Sequence, residues 1–248
     1  MNQTYQMVIA YDGTAFGGWQ VQPNAVTIQQ LLEEKLSTIL QMPTSVVGAG
    51  RTDAGVHALG QCAHFIIPKP IDTARTLHSF NGMLPEAIRV FSLKMAPSGF
   101  HARYSAKKKH YHYHLTLDSV QSPFDRHYKL HVRQKLDLKK MEQGARHLLG
   151  THDFRAFAND AHLGSSGKNP IRTIERLQIV PEAGGVRLEF EGESFLYKMV
   201  RNCVGTLLDV GLGKLEPDNM AEILASRDRK QAGRAAPAHG LFLVRIEY

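Results

Sequence analysis

The sequence predicts an α+β protein made of two ferredoxin-like lobes, each with the element order β-α-β-β-α-β and a mixed, largely antiparallel sheet. Three observations predict it. Alternating and helical apolar patterns follow one another in this order through the first hundred residues, a similar order recurs in the second half, and a basic segment connects the two. We expect lobes over residues 1–105 and 106–248, which flank a basic cleft. A single sheet shared by both lobes is the alternative.

The first lobe opens with a strand, because every second residue from Tyr5 to Tyr11 is apolar. Thr27, followed three residues later by Gln30, predicts a capping box that begins an amphipathic helix. Asp72 predicts the N-cap of a second helix, which Pro85 ends. Strands are expected over Thr4–Tyr11, Thr44–Val47, Gln61–Ile67 and Ile88–Met95, the last with Phe91, Leu93 and Met95 on one side.

In the second lobe, Asp137 predicts the N-cap of a helix that Gly150 ends. A strongly amphipathic helix is expected from about Phe195 to Val210, and a shorter one after Pro217. The polar stretch Thr151–Pro170 is expected to be a long loop, and such loops are often functional. Strands are expected over His110–Leu117, Tyr128–Val132 and Leu241–Tyr248, and a hairpin over Ile174–Val180 and Val186–Glu191.

Positive charge is concentrated in one stretch of the chain. The 248 residues carry a formal net charge of +7, and His101–Lys140 alone holds ten Lys and Arg against three Asp. This basic band suits a polyanionic partner, although a solvated, solubilising surface explains the charge equally well. No segment has the length and apolarity of a membrane span, and Cys62 and Cys203 are expected to be buried free thiols of a cytoplasmic protein.

The first candidate site is Gly48–His57, which opens with three glycines in eight residues. Glycines let the backbone turn sharply and leave room for a ligand, and Arg51 and Asp53 in such a loop could face one pocket. The spacing is neither a dinucleotide-binding fingerprint nor a phosphate-binding P-loop. The alternative is an Asx-turn at Asp53 beside a solvent-exposed Arg51.

Basic and aromatic residues meet in the second candidate site, residues 107–114. As a strand it places Tyr111 and Tyr113 on one face and three histidines on the other. A base-stacking Tyr beside phosphate-attracting Lys107, Lys108 and Lys109 is one interpretation. A half-buried aromatic strand after a charged leader is the other, and the ligand spacing does not favour a metal site.

The third candidate is Arg201, on the helix that begins near Phe195. The helical period places Lys198, Arg201, Asn202, Gly205 and Asp209 on a polar stripe opposite an apolar face. Arg201 could pair with a loop carboxylate or contact phosphate, and the alternative is a solvated surface Arg.

Together these segments resemble the tRNA pseudouridine synthase A family along essentially the whole chain. GRTDAGVHA is the most specific of the matching segments. The segments that carry the resemblance, in chain order, are YDGTAFGGWQ, GAGRTDAGVHALGQ, FHARYSAKKKHYHYH, GTHDF, FLYKMVRNCVG and APAHGLFLVRIEY.

The resemblance implies a role for each matching residue. Asp53 matches the catalytic carboxylate, which attacks the target nucleotide as a nucleophile or promotes a glycal intermediate. Arg51 matches the Arg that displaces the target base, Tyr111 the Tyr that stacks on the flipped uracil, and Arg201 the Arg that pairs with the catalytic Asp. Arg103 and the three lysines at 107–109 are expected to dock RNA.

The resemblance also implies a substrate and an assembly. The family isomerises uridine to pseudouridine at positions 38, 39 and 40 of the tRNA anticodon stem-loop, without cofactor or metal, and acts as a homodimer. Taken on the residues alone, two other functions stay open. One is an RNA-binding protein without catalytic activity, which the glycine-rich loop argues against, and the other is a histidine-ligated metalloenzyme.

Overall fold

The computed structural model describes residues 2–159 and 169–248. The chain divides into two compact units, Met1–Lys107 with Phe242–Tyr248, and Lys108–Leu241. The described elements are β1 (Gln3–Tyr11), α1 (Ile28–Leu40), β2 (Val47–Gly48), β3 (His57–Ile67), α2 (Thr73–Met83), β4 (Ile88–Met95), β5 (Lys108–Thr116), β6 (Leu130–His131), α3 (Leu138–Arg146), β7 (Gly150–Asp153), β8 (Ile171–Ile174), β9 (Arg176–Glu182), β10 (Gly185–Gly192), α4 (Met199–Gly211), α5 (Asn219–Ser226) and β11 (Leu241–Glu247). The prediction of an α+β protein is confirmed. The ferredoxin-like description of each lobe and the basic cleft stay predictions.

The first unit is built on a mixed sheet in which β1 lies between β3 and β4, antiparallel to both. β2 pairs antiparallel with the other edge of β3. β11 runs parallel to β3, with Phe242 opposite His57 and Leu243 opposite Ala58. Phe242–Tyr248 of the closing strand, which we expected in the C-terminal lobe, group with the first unit, where the strand pairs with β3.

Apolar alternation and capping side chains explain the first elements. Tyr5, Met7, Ile9 and Tyr11 are all buried, which confirms the predicted face of β1. The Thr27 side chain accepts a hydrogen bond from the Gln30 backbone N–H and caps α1, as predicted. Asp72 caps α2 in the same way through the Arg75 N–H, and α2 ends just before Leu84 and Pro85.

β4 departs from the predicted face pattern at Phe91. Val8 pairs with Ser92 but Ile9 pairs with Val90, so Phe91 is an extra residue in the ladder. Such a β-bulge turns the following residues to the other side of the strand. Leu93, which pairs with Met7 of β1, is buried, whereas Phe91 is 68% exposed. The prediction that Phe91 shares a side with Leu93 and Met95 is therefore wrong.

In the second unit β10 lies between β5 and β9, antiparallel to both, and the short β6 pairs parallel with β5. β9 and β10 form the predicted hairpin, and Gly184 in its turn has the positive φ of 72° that tight turns require. The Asp137 side chain caps α3, as predicted. α4 begins at Met199 rather than near Phe195, because Lys198 adopts a left-handed conformation with φ 59° that a helix cannot continue through.

The stretch predicted as a loop from Thr151 to Pro170 is partly a strand. β7 pairs antiparallel with β8 in a separate two-stranded sheet, with Thr151 opposite Thr173. A short 3-10 helix follows at Arg155–Phe157 and buries Ala156 and Phe157. The prediction was wrong for these residues, because polar strands in small sheets lack apolar alternation. Residues 160–168 of the predicted loop lie outside the described residues.

Candidate functional site

The site residues predicted from sequence occupy three elements. Arg51 and Asp53 lie in the first unit, in the loop between β2 and β3. In the second unit, Tyr111 lies on β5 and Arg201 in the first turn of α4. We call residues 48–56 the catalytic-loop candidate and describe the two units separately.

Side chains in the catalytic-loop candidate alternate between buried and accessible positions. Thr52 and Val56 are buried, whereas Arg51 is exposed and Asp53 is half-buried. The Val56 N–H donates to the Asp53 carbonyl across 3.1 Å, and Gly55 in this turn has φ 77°. The turn therefore presents the Asp53 carboxylate beside an accessible guanidinium on one short segment.

A second glycine-rich loop, residues 12–19, packs directly against the first. A Cβ added at Gly13 would collide with the Val56 carbonyl oxygen, and one at Gly18 would lie 2.5 Å from the Thr52 carbonyl oxygen. The same Thr52 carbonyl accepts a hydrogen bond from the Trp19 N–H at 3.0 Å. The two backbones can approach this closely only because the side chains are missing.

Side chains complete the support of the catalytic-loop candidate. The Tyr11 and Thr52 hydroxyls lie 2.8 Å apart. The Gln61 side-chain amide donates to the Gly50 carbonyl at 2.8 Å. Burial raises the pKa of the Tyr11 phenol, against smaller opposing effects of its hydroxyl partners, so this group stays protonated. Hydrogen bonds thus fix Gly50 and Thr52, the two neighbours of Arg51, and Thr52 also precedes Asp53.

His57, at the start of β3, joins the same framework. Its ring is 1% exposed and stacks on Phe242 with centroids 4.5 Å apart. Its Nδ1 accepts the Gly13 N–H at 3.0 Å and lies 3.2 Å from the Asp12 carboxylate. The imidazole therefore ties together the two glycine-rich loops and the closing strand.

Sequence reasoning assigned no role to these supporting residues. The resemblance quoted YDGTAFGGWQ and GVHALGQ as motifs but gave no function to the residues in them. The available signal was a pair of glycine-rich segments some 30 residues apart, both rich in polar side chains. Nothing within one sequence shows that two such segments touch. The supporting residues are Tyr11, Asp12, Gly13, Gly18, Trp19, His57 and Gln61.

Tyr111 and Tyr113 share one face of β5 in the second unit, as predicted. Tyr113 is fully buried and its hydroxyl donates to the Pro237 carbonyl at 2.8 Å. Tyr111 is 7% exposed, and the Phe195 ring meets it edge-on at a centroid distance of 5.2 Å. Tyr113 is thus structural, while Tyr111 lies within the strand beside the ring of Phe195.

The opposite face of β5 carries the three histidines, each beside a glutamate. His110 lies 3.4 Å from Glu191, and His114 lies 3.0 Å from Glu182. His112 lies 3.8 Å from Glu189. Within residues 2–159 and 169–248, no group of three His, Cys, Asp or Glu has an arrangement that could hold a metal ion. The described histidines of β5 therefore belong to a network of cross-strand pairs.

Arg201 is half-buried and bound to the segment that precedes β11. Its Nε donates to the Ala236 carbonyl at 2.8 Å, and the Ala236 N–H donates to the Arg201 carbonyl at 2.9 Å. The predicted polar stripe of α4 is not a solvent-facing surface. Asn202 is fully buried, donating to the Phe157 carbonyl at 2.8 Å and accepting from Arg229 at 2.9 Å. This geometry excludes the fully solvated Arg201 that stood as the alternative.

The predicted RNA-docking cations differ in their exposure. Arg103 and Lys107 are exposed. Lys108 lies 2.7 Å from Glu175, which neutralises much of its charge, and Lys109 is only 8% exposed. The three consecutive lysines are therefore not equivalent, and Arg103 and Lys107 are the accessible cations of this set.

No helix within the described residues is long and apolar enough to cross a membrane.

Comparison with known proteins matches most of the chain to one family. Residues 7–105 and 145–248 fit a family model described as tRNA pseudouridine synthase. The chain is 50% identical to tRNA pseudouridine synthase A 1 of Protochlamydia amoebophila, over 98% of this chain and 96% of the relative. It is 44% identical to tRNA pseudouridine synthase A of Acetivibrio thermocellus, over 98% of both chains. It is 42% identical to the protein of that name from Bacillus subtilis, over 97% of both chains.

These matches cover the site residues unequally. Arg51, Asp53, Arg103 and Arg201 lie inside the segments that fit the family model. Tyr111 lies between those segments, yet the alignment with the Protochlamydia amoebophila protein extends over 245 residues of the chain.

Proposed function

Because the chain belongs to the tRNA pseudouridine synthase family, we propose that this isomerase converts uridine to pseudouridine at positions 38, 39 and 40 of the tRNA anticodon stem-loop. The observation that carries the proposal is the catalytic-loop candidate. It presents Asp53 and Arg51 together on a segment fixed by glycine contacts and hydrogen bonds. A reaction that must place one carboxylate accurately against a sugar carbon requires such preorganisation.

The reaction rearranges the nucleotide without adding or removing atoms overall. The N1–C1′ glycosidic bond breaks, the uracil turns, and a C5–C1′ bond forms. The proton on C5 is then lost and N1 takes up a proton. This chemistry calls for a nucleophile at C1′ or a base that removes the C2′ proton, and for a proton acceptor at C5, and we propose that it proceeds without cofactor or metal.

Asp53 is proposed as the catalytic carboxylate. It either attacks C1′ and forms a covalent intermediate, or removes a sugar proton to give a glycal. Half-burial supports both routes, because the carboxylate is accessible to a ligand while its backbone is held by the turn to Val56. The residues do not distinguish the two routes, and Asp53 and Tyr111 are both candidates for the base that accepts the C5 proton.

Arg51, Tyr111 and Arg201 are proposed to serve the flipped nucleotide and the carboxylate. Extracting a base from a stacked stem costs a few kcal/mol, and an inserted Arg51 would fill the vacated space. Its exposure supports this role. Tyr111 is proposed to stack on the flipped uracil. By family resemblance, Arg201 is proposed to pair with the catalytic Asp. The hydrogen bond from its Nε to the Ala236 carbonyl, and the one from the Ala236 N–H to its own carbonyl, support a guanidinium held in one position.

The proposal extends to partners and location. Arg103 and Lys107 are proposed to contact tRNA phosphates, which their exposure supports, while the ion pair of Lys108 and the burial of Lys109 support a smaller part for those two. We also propose a homodimer in the cytoplasm, where the tRNA substrate is found.

Mapping pseudouridine after incubation with unmodified tRNA transcripts tests the proposal. Wild-type protein should modify uridines at positions 38, 39 and 40, and Asp53→Asn should modify none of them. Asp218→Asn, which changes a carboxylate that is 92% exposed and lies 3.2 Å from His147, is the matched control and should behave as wild type. If the wild-type protein forms no pseudouridine, the proposed activity is wrong. If pseudouridine forms only at other positions of the tRNA, the proposed target positions are wrong. An active Asp53→Asn variant would overturn the role of Asp53 as the catalytic carboxylate.

A further inference from the structure

Tyr104 is a large aromatic side chain left 75% exposed in the first unit. It lies in the turn of residues 101–105, in the segment of the chain between β4 and β5. A single exposed aromatic residue is common on protein surfaces and is not evidence of a site by itself. Here the turn that carries it, the rings behind it and the charges beside it provide further evidence.

Hydrogen bonds fix the turn that carries Tyr104. The His101 Nδ1 accepts the backbone N–H groups of Arg103 at 3.2 Å and Tyr104 at 3.3 Å. The Ser105 N–H donates to the His101 carbonyl at 2.9 Å, and the His101 N–H donates to the Ser105 hydroxyl at 3.0 Å. The exposed ring is therefore mounted on a closed, internally bonded turn.

The same turn is anchored in the core of the first unit. Ala102 is fully buried, its carbonyl accepts the Tyr248 hydroxyl at 2.8 Å, and its N–H donates to His64 Nδ1 at 3.2 Å. Such a turn loses little conformational freedom when a partner binds, and this is what preorganisation contributes to affinity.

Three rings lead from this core to the surface. His64 is 3% exposed, and its ring centroid lies 4.7 Å from that of His101. The His101 ring lies 4.3 Å from that of Tyr104, with an angle of 32° between the ring planes. His101 thus packs against the Tyr104 ring, which stays 75% exposed.

Two accessible cations neighbour Tyr104 along the chain. The Arg103 guanidinium carbon lies 5.8 Å from the Tyr104 ring centroid, within the range of a cation–π contact. Lys107, three residues further on, is exposed. A flat aromatic surface flanked by accessible cations is the combination by which proteins hold single-stranded nucleic acid, with bases on rings and phosphates on Lys and Arg.

We propose that Tyr104 is a stacking platform for an unpaired base of the RNA substrate, with Arg103 and Lys107 contacting the phosphates beside that base. The inference rests on the proposed function and adds a binding residue to it. This base is not the reacting uracil, which the proposal above gives to Tyr111. The platform therefore acts on affinity for RNA and leaves the chemical step alone.

Three substitutions of Tyr104 and one control test the platform. Tyr104→Ala should raise Kd and KM for tRNA by about tenfold, because one base–aromatic stack is lost, with kcat within about twofold of wild type. Tyr104→Phe keeps the ring and should match wild type. Phe91→Ala removes a comparably exposed aromatic side chain, 68% exposed, and should leave Kd, KM and kcat unchanged.

Tyr104→Trp reports stacking directly. Trp19, the natural tryptophan, is 2% exposed, and its signal is subtracted with the wild-type protein. The added fluorescence should be quenched when an anticodon stem-loop RNA is titrated in. The wild-type protein serves as the control, and circular dichroism checks that each variant is folded.

The outcomes separate the two proposals. Wild-type Kd and KM in a folded Tyr104→Ala, an equal loss in Tyr104→Phe, or no quenching in Tyr104→Trp would each overturn the platform. A Tyr104→Ala variant that changes subunit association in sedimentation would also overturn it, since the ring would then face another protein chain. If wild-type protein forms no pseudouridine but Tyr104→Ala still weakens RNA binding, the proposed function fails and the platform stands.

Discussion

The hydroxyl of Tyr11, at the end of β1, lies 2.8 Å from the hydroxyl of Thr52, the residue before Asp53. Both side chains are buried, so neither hydroxyl can exchange this partner for bulk water. The bond connects a central strand of the first unit to the proposed catalytic residue through a single peptide unit.

Tyr11→Phe should lower kcat by about tenfold and leave tRNA affinity unchanged, because the unpaired Thr52 hydroxyl lets the loop around Asp53 shift. The free energy of unfolding should fall by about 1–2 kcal/mol, the usual cost of a lost buried hydrogen bond. Tyr5→Phe is the matched control. Tyr5 is also buried in β1 and its hydroxyl bonds Gln3 and the Ile71 N–H, so the variant should lose stability but not kcat. Equal kcat values for the two variants would contradict the positioning role.

Gly18→Ala should lower kcat/KM by about a hundredfold, because an added Cβ would lie 2.5 Å from the Thr52 carbonyl oxygen and because Gly18 has φ 91°. Steady-state kinetics with a tRNA transcript provides the measurement. Gly82→Ala is the control, since nothing lies within 4 Å of its Cβ position in α2. That change should leave activity unchanged and add up to about 1 kcal/mol of stability. Full activity in Gly18→Ala would show that the contact between the two loops is unimportant.

Arg201→Lys should lower kcat by at least about tenfold, although the charge is kept. Arginine donates its Nε–H to the Ala236 carbonyl and leaves a second edge of the guanidinium to contact another group. Lysine has a single terminal ammonium and cannot do both. Arg146→Lys, an exposed position in the last turn of α3, should behave as wild type. If the two variants are equally active, the shape of the guanidinium at Arg201 does not matter and a charge alone suffices.

Stability should fall as the pH drops from about 7.5 to 5.5. Burial is the main cause that lowers the pKa of His64, His112 and His239 below the ordinary value of 6.5. The unfolded chain then binds protons at these positions at a higher pH than the folded protein does, so acid favours unfolding. The stability these histidines contribute is present above pH 6.5 and is lost as the pH falls through their folded pKa values.

Urea denaturation at several pH values measures this effect. His64→Gln should show a smaller fall in the unfolding midpoint than wild type. Asp153 and Glu189 do not contribute to this fall in stability. Burial raises the pKa of both carboxyls, but their Arg partners outweigh it and lower the pKa overall. The stability that these carboxylates contribute is therefore lost only at more acidic pH. A urea unfolding midpoint that stays constant from pH 7.5 to 5.5 would contradict the proposed contribution of these histidines to stability.

Local patterns predicted most elements because each has a local physical cause. The alternation from Tyr5 to Tyr11, the caps Thr27, Asp72 and Asp137, and the β9–β10 hairpin depend on residues within a few positions of one another. The errors arise where distant residues decide. The bulge at Phe91 follows from the pairing of β4 with β1. β7 is a strand because it pairs with β8, which lies further along the chain.

The candidate site divides in the same way. Asp53 and Arg51 could be identified because their loop has an unusual local composition and a specific resemblance. The support from Gly13, Gly18 and His57 could not be predicted, because it depends on contacts between segments far apart in the chain. Asn202 looked like a surface residue by helical period, yet Arg229 and the carbonyl of Phe157 cover it.

Release of tritium from tRNA labelled at uracil C5 tests the central claim most directly, because formation of the C5–C1′ bond expels that hydrogen. Wild-type protein should release tritium in proportion to the pseudouridine formed. Asp53→Ala should bind tRNA within a few-fold of wild type and release none above background. Release by Asp53→Ala at a substantial fraction of the wild-type rate would contradict the claim that Asp53 is the catalytic carboxylate.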